Sequence, residues 1–465
     1  MQSKNIFLYL FTVIISYLFF THTDATYTLA ISNSLNIGHV ADFYDYNAKQ
    51  IGFASYLPTI YALMASWNEP LVWFGLIDPL KIQAWAIDYP KVKMSFYEYF
   101  IFVGWYKLLL IIFAIGTANY IKKISNHFSP KTGNESYIFF ITSPFTLFSI
   151  LIFSGYDIFA VFFSTAGFYY YLRKDLLKFS LLFSIAITCK FFPLVIFFPL
   201  LLLSEKKIFP LIKYSAISVF TSLFLILIYT KNVTLLSSIF HVANDKLISG
   251  KLSYLKLAAL IGYLLLCLRC YVSEKHNSQS HIKKSISAAY AGYCLLFFAI
   301  KWHPQWILIL MPFTVLSWHF IKNKKLIFFV EGLGFLSFIL LTTNIWKDNV
   351  DQKMITQGPI SKILPDVQVQ IAEFLDVSHF KTIVIVIFYI YLLHPLWAPK
   401  MNLFNKVTAS HILKLRFIFL YFFIIPAFLC VLNSTLIPFT PKPLANKQVY
   451  EKSIKCIYNQ CESNE

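Results

Sequence analysis

Apolar side chains recur along this chain in long unbroken runs, many approaching the roughly 20 residues that cross a hydrocarbon core of about 30 Å. The runs predict helices over residues 6–20, 99–121, 137–153, 158–172, 179–188, 191–203, 208–229, 254–272, 285–300, 305–321, 326–342, 382–397 and 417–436. Two of them are short, as a hairpin inside the membrane would be. Because they are continuously apolar rather than alternating, they argue against a β-barrel, and open sheets would leave unpaired backbone groups in lipid at several kcal/mol each. The expected fold class is all-α: a polytopic transmembrane helical bundle of about 11–13 spans, with juxtamembrane helices in the first outer loop.

The polar stretches divide the chain. Residues 1–20 form a first transmembrane helix that doubles as a signal anchor, and residues 21–98 an acidic loop carrying five Asp, one Glu before Glu98, and proline-broken aromatic pieces. Residues 99–343 form the core bundle, 344–381 a second outer loop, 382–437 the last transmembrane helices and 438–465 a polar tail. No internal repeat or low-complexity segment is visible.

Charge then orients the bundle. Counting spans alternately gathers six basic loops on one side: Lys122, Lys123 and Lys131; Arg173, Lys174 and Lys178; Lys206 and Lys207; Arg269, Lys275, Lys283 and Lys284; Lys322, Lys324 and Lys325; Lys400, Lys406, Lys414 and Arg416. That side is cytoplasmic by the positive-inside rule. The net charge of +18 is accordingly topology, and nucleic acid is not an expected partner. With 58% hydrophobic residues and a mean hydropathy of +0.63, membrane lipid is the solvent for most of the chain. Cys189, Cys267, Cys270 and Cys294 read as buried fillers, while Cys456 and Cys461 in the tail have the option of a disulfide in an oxidising compartment.

The residues with chemistry fall on the other, extracytoplasmic side. Asp42 and Asp45 stand at i and i+3, on one face of an amphipathic helix; a carboxylate there serves as general base on an acceptor hydroxyl, binds a divalent cation, or simply faces solvent. Asp24, Asp78 and Asp88 have nothing converging on them. Asp157, in Ser154-Gly155-Tyr156-Asp157, is a carboxylate at the membrane boundary, where an unpaired charge is expensive; it is either functional or the N-cap of the next helix. Lys190 is a lone cation between apolar runs, fit to hold a phosphate oxygen or to snorkel to the interface. In Lys301-Trp302-His303-Pro304-Gln305-Trp306 a cation, an imidazole and two indoles share one turn, suited to a phosphate with a sugar stacked beside it.

A first span followed by an acidic outer segment and the stretch Gly52-Phe53-Ala54-Ser55-Tyr56-Leu57-Pro58 resembles the start of a GT-C fold glycosyltransferase. The Ser154-Gly155-Tyr156-Asp157 turn, the Lys190-Phe191-Phe192-Pro193 helix break and the His303-Pro304-Gln305-Trp306 turn are similar to polyprenyl-phosphate-mannose-dependent mannosyltransferases and their bacterial relatives. The resemblance covers roughly residues 42–312. It implies transfer of a hexose, mannose first, from a polyprenyl-phosphate donor to a glycan or lipid acceptor at the outer face, with inversion. The base it implies is Asp42, with Asp45 second. The substrate-binding set it implies is Tyr56, Asp157, Lys190, Lys301, His303, Gln305 and Trp306.

Two other functions fit the same composition. A polymerase or ligase of lipid-linked glycans grips pyrophosphate with arginine forks, but the three arginines, Arg173, Arg269 and Arg416, all fall on the predicted cytoplasmic side. A lipid or glycan transporter is expected to show internal symmetry and glycine-broken helices; the chain has 14 glycines in 465 residues, and its charges read as clustered at helix ends. The richness in Lys, Ile, Phe and Asn points to a bacterial inner membrane. In a eukaryotic secretory compartment the sequons at Asn134, Asn232 and Asn433 would matter as well.

Overall fold

A computed structural model describes residues 3–87, 95–128, 130–243, 254–274, 278–300, 302–321, 324–345 and 378–397. The expected span at 417–436, the tail, Lys301 and most of the 344–381 loop lie outside the described residues. The protein is all-α, with no strand among the described residues, and forms a helical membrane bundle. Among the described residues three helices are long and apolar enough to cross a membrane: Tyr97–Ser125, Ile208–Ile228 and Tyr254–Val272. The pair Thr132–Ile141 and Pro144–Ile152 forms a fourth candidate, bent by 45°. Shorter apolar helices, among them Ile158–Leu172, Leu176–Cys189 and Pro193–Ser204, fill the bundle between them.

Proline sets many of the boundaries. Pro58, Pro79, Pro130, Pro144 and Pro193 each open a helix, where the missing N–H costs nothing and the fixed φ is already helical. The bend in the expected 137–153 run has the same origin: Ser143 is extended (ψ 132°) ahead of Pro144, as the residue before a proline prefers. Residues 305–321 are equally broken, into the 3-10 turn Pro304–Ile309, the helix Met311–Ser317 and the 3-10 turn Trp318–Phe320. All three sit in the core.

One large apolar cluster runs through the bundle. A smaller one, centred on Phe43, Tyr44, Tyr61 and Tyr229, lies under the helices of the 21–87 segment. Those helices, Thr23–Asn36, Phe43–Gln50, Pro58–Trp73 and Pro79–Ile87, pack on the bundle. Trp67 and Trp105 stack at 4.7 Å and each donates its indole N–H to the other's backbone carbonyl at 2.8 Å. That reciprocal pair fastens the Pro58–Trp73 helix to the longest span.

Among the described residues two buried charges, Lys107 and Glu331, lie inside helices, which corrects the expectation that charge is confined to helix ends. Lys107 is fully buried, and its ammonium donates to the carbonyls of Ser16, Tyr17 and Phe20. These belong to the last turn of the Ser3–Phe19 helix and the residue after it, so the lysine satisfies acceptors that a helix end leaves open. Glu331 is buried and accepts from Ser143 Oγ at 2.8 Å, at the bend of the broken span. Both charges serve the architecture.

Candidate functional site

Asp24 lies in the first turn of the Thr23–Asn36 helix, and the described contacts converge there. Asp24 Oδ2 accepts from Gln305 Nε2 at 3.0 Å and lies 3.2 Å from Tyr156 Oη. Tyr156 Oη is in turn 3.0 Å from Tyr56 Oη. With one proton on each phenol, Tyr156 donates to the carboxylate and accepts from Tyr56. The Asp24 N–H donates to His22 Nδ1 at 3.1 Å, which puts the proton of a neutral His22 on Nε2. The His22 ring is buried and stacks on Phe153 at 3.9 Å.

Asp157 and Lys190 form a buried ion pair beside this carboxylate, with side chains 0% and 4% exposed. Asp157 occupies the N-cap position of the Ile158–Leu172 helix without a side-chain cap bond; its carboxylate points to the ammonium instead. Lys190 does not snorkel. It ends the Leu176–Cys189 helix in extended conformation, and its Nζ lies 4.8 Å from the Trp306 ring, 5.2 Å from Phe192, 5.4 Å from Tyr56 and 5.7 Å from Tyr156. Each ring face attracts the cation, by about 0.5–2 kcal/mol when desolvated.

The backbone between residues 148 and 157 is shaped for this. A π-helical turn at Phe148–Ile152 is followed by Ser154 at φ 59°, a left-handed conformation that a serine adopts at a cost. Gly155 follows because two segments touch there: a Cβ on it would meet Gln305 Cβ at 3.0 Å and the Ser149 carbonyl at 3.1 Å. The glycine thereby lets the Ser154–Asp157 turn press against the His303–Trp306 turn, and Tyr106 Oη fixes it by donating to the Ser154 carbonyl at 3.0 Å.

Several buried polar atoms of this cluster have no hydrogen-bond partner among the described residues: Asp157 Oδ2, Gln305 Oε1, Trp306 Nε1 and Ser154 Oγ. An unmatched buried polar atom costs about 1–3 kcal/mol. Two acceptors, one indole donor and a hydroxyl that plays either role make a set complementary to a ligand rich in hydroxyl groups.

Of the residues singled out in the sequence, Tyr56, Asp157, Lys190, Gln305 and Trp306 come together here. His303 joins through its ring, 4.8 Å from Trp306 and edge-on. Lys301 lies outside the described residues. The two tryptophans diverge: Trp302 stacks on Phe338 at 5.7 Å in the core, and only Trp306 faces the cation.

The described contacts of Asp42 and Asp45, the bases the resemblance implies, are made with other residues than Lys190 and His303. Asp42 is 57% exposed and pairs with His39 Nδ1 at 3.1 Å. Asp45 Oδ1 accepts from the Thr234 N–H at 2.9 Å and the Thr234 hydroxyl at 2.7 Å, and Oδ2 from the Val233 N–H at 3.1 Å, at the start of the Leu235–Ala243 helix. Asn232 returns the favour: its Oδ1 accepts from the Tyr44 N–H at 3.0 Å and its Nδ2 donates to the Ala41 carbonyl at 2.8 Å. Two helix starts far apart in sequence cap one another, which accounts for Asp45 and occupies the amide of the Asn232 sequon. Asp24, read from sequence as having nothing converging on it, is a second carboxylate of the cluster beside Asp157. It lies five residues beyond the end of the first helix at Phe19, as Asp157 lies five beyond the Phe148–Ile152 turn.

Among the described residues no three His, Cys, Asp or Glu side chains gather as a candidate metal site. No family model matches the chain, and no curated protein matches it.

Proposed function

We propose that the protein is a membrane glycosyltransferase that moves a hexose from a polyprenyl-phosphate donor to a hydroxyl acceptor at the extracytoplasmic face, with Asp24 as general base. The observation that carries this reading is the juxtaposition, in one buried cluster, of a hydrogen-bonded carboxylate on Asp24 with a ring-caged ammonium on Lys190. Inverting transfer needs both, on opposite sides of one carbon. Asp24 takes the proton of the acceptor hydroxyl as its oxygen attacks the anomeric carbon; the bond from that carbon to the phosphate oxygen breaks, and the electron pair leaves with the polyprenyl phosphate. The charge developing on the phosphate is met by Lys190, whose ammonium has three donors and gives one to Asp157.

The unmatched polar atoms of Asp157, Gln305, Trp306 and Ser154 supply the contacts a sugar would use, and the Trp306 ring a surface for its apolar face. Asp42, paired with His39 and exposed, has no part in this scheme.

The test is transfer from radiolabelled polyprenyl-phosphate hexoses to cell-envelope lipids by the purified protein. Asp24→Asn is expected to lower the rate by about 10²–10⁴, the usual contribution of general base catalysis, and Asp42→Asn to leave it within about threefold of wild type, as a residue without transition-state contact should. Transfer that survives Asp24→Asn removes the base. Transfer from a lipid pyrophosphate but from no monophosphate favours the polymerase or ligase reading.

A further inference from the structure

The Ile158–Leu172 helix starts at Asp157 and ends at Arg173, so its far end lies about 24 Å from the cluster at about 1.5 Å per residue. There three helices bring basic and aromatic side chains together. The end of Tyr97–Ser125 supplies Tyr120 and Lys123, the end of Ile158–Leu172 supplies Tyr169, Tyr170 and Arg173, and the start of Leu176–Cys189 supplies Lys178. The three rings form a row, with centroids 5.7 Å apart for Tyr120 and Tyr169 and 5.3 Å apart for Tyr169 and Tyr170.

Each cation is exposed to its surroundings yet held against that row. Lys123 Nζ lies 4.9 Å from the Tyr120 ring and 5.9 Å from Tyr169. The Arg173 guanidinium lies 5.7 Å from the same Tyr169 ring and donates from Nη1 to the Tyr169 hydroxyl at 3.1 Å. Lys178 Nζ lies 5.2 Å from Tyr170 and pairs with Asp175 at 3.0 Å. Among the described residues no carboxylate forms an ion pair with Lys123 or Arg173. Ring faces attract cations, and here they gather two like charges on one ring, where the two repel. An anion seated between them turns that repulsion into two attractions.

The patch also stands at the rim of an apolar wall. Ile112 and Ile115, 46% and 43% exposed, share a helix face with Lys123, and Leu177 and Leu181, each 49% exposed, flank Lys178. An apolar helix face that ends in ring-held cations has the profile of a phospholipid, chain below and phosphate above.

From this arrangement we infer that Lys123 and Arg173 bind the phosphate headgroup of an anionic phospholipid in the adjoining leaflet, with its acyl chains along the Ile112 and Ile115 face. The planar guanidinium grips two phosphate oxygens at once, and the ammonium of Lys123 takes a third. By the positive-inside pattern this is the leaflet expected on the cytoplasmic side, where anionic lipids attract juxtamembrane basic residues. The patch lies at the opposite end of the Ile158–Leu172 helix from Asp157, and its lipid is bound whatever reaction the cluster performs.

The test is equilibrium binding of radiolabelled phosphatidylglycerol and phosphatidylcholine to the purified full-length protein in dodecyl maltoside micelles at low salt. Each basic residue beside an anionic headgroup contributes about fivefold, so wild type, with two, is expected to hold phosphatidylglycerol about twentyfold more tightly than phosphatidylcholine. Lys123→Gln combined with Arg173→Gln is expected to bring the two lipids within about twofold of one another, with phosphatidylcholine bound as in wild type, which also certifies the fold. Lys283→Gln combined with Lys284→Gln removes the same charge from another basic loop and is expected to keep the preference above about tenfold. Should the first pair fail to fold, Arg173→Gln alone poses the question, with an expected loss of about fivefold.

Equal losses in the two double variants overturn the inference, because net charge and not the ring-held pair would then select the lipid. A preference that survives Arg173→Gln does the same. So does displacement of phosphatidylglycerol by millimolar inorganic phosphate, which would make the patch a site for free anions. The assay reads lipid alone, and neither its success nor its failure touches the sugar chemistry.

Discussion

The Lys190–Asp157 pair offers the sharpest check on the site, because stability and function are expected to part company there. Both side chains are buried, so removing either partner strands a charge in a low-dielectric interior, a loss of about 3–5 kcal/mol for pairs of this kind. Lys190→Met removes the cation that pairs with Asp157; Asp157→Leu removes the carboxylate that pairs with the ammonium and leaves its ring faces, each contributing about 0.5–2 kcal/mol. The single variants are therefore expected to lose about 3 kcal/mol or more, Lys190→Met the larger amount. Combining them removes both desolvation costs, and the double variant is expected to recover to within about 1–2 kcal/mol of wild type, with a coupling energy of about 2–3 kcal/mol. Unfolding in mixed micelles with increasing dodecyl sulfate measures all four corners of the cycle. Activity is measured on the same preparations. If Lys190 meets the donor phosphate, the stable double variant stays inactive, because the hydrophobic replacement restores the fold and not the charge. Additive single effects, within about 0.5 kcal/mol, would refute the buried pair, and an active double variant would refute the role of Lys190.

Three further outcomes follow from the packing. Gly155→Ala places a methyl group against Gln305 and the Ser149 carbonyl, so it is expected to push the two turns apart, costing about 1–3 kcal/mol of stability and lowering substrate affinity before turnover; binding isotherms beside unfolding curves read both. Lys107→Met is expected to cost about 3 kcal/mol, since three carbonyls at the end of the first helix lose their common donor, and protease accessibility at the N-terminus should rise with it. Asp175 caps the Leu176–Cys189 helix, and the hydrogen bonds from the Lys178 N–H and ammonium hold its carboxyl below the usual range. Its stabilisation is present above the unfolded carboxylate pKa and lost as pH falls through the lower folded value. Asp175→Ala is thus expected to cost about 1 kcal/mol at neutral pH, and the gap to wild type should close in acid; a gap that widens in acid contradicts the sign.

The sequence by itself determined the fold class and much of the helix register: the apolar runs at 158–172, 208–229 and 254–272 correspond to helices with bounds within a residue of those read from the pattern, because in lipid a continuous apolar run has only one way to satisfy its backbone. It also singled out Asp157, Lys190 and the Lys301–Trp306 turn as polar groups amid apolar surroundings, with capping or snorkelling as the other readings, and the resemblance added Tyr56; the structure brings Tyr56, Asp157, Lys190, Gln305 and Trp306 together. Which carboxylate joins them was a matter for the tertiary structure alone. Asp42 and Asp45 look like a pair in one dimension, but Asn232 and Thr234, nearly two hundred residues away, draw that segment into a mutual capping contact, while Asp24 is turned inward by Gln305 and Tyr156. Periodicity reports the medium each residue must tolerate. Partners that meet across long stretches of chain are chosen by packing, which no local pattern encodes.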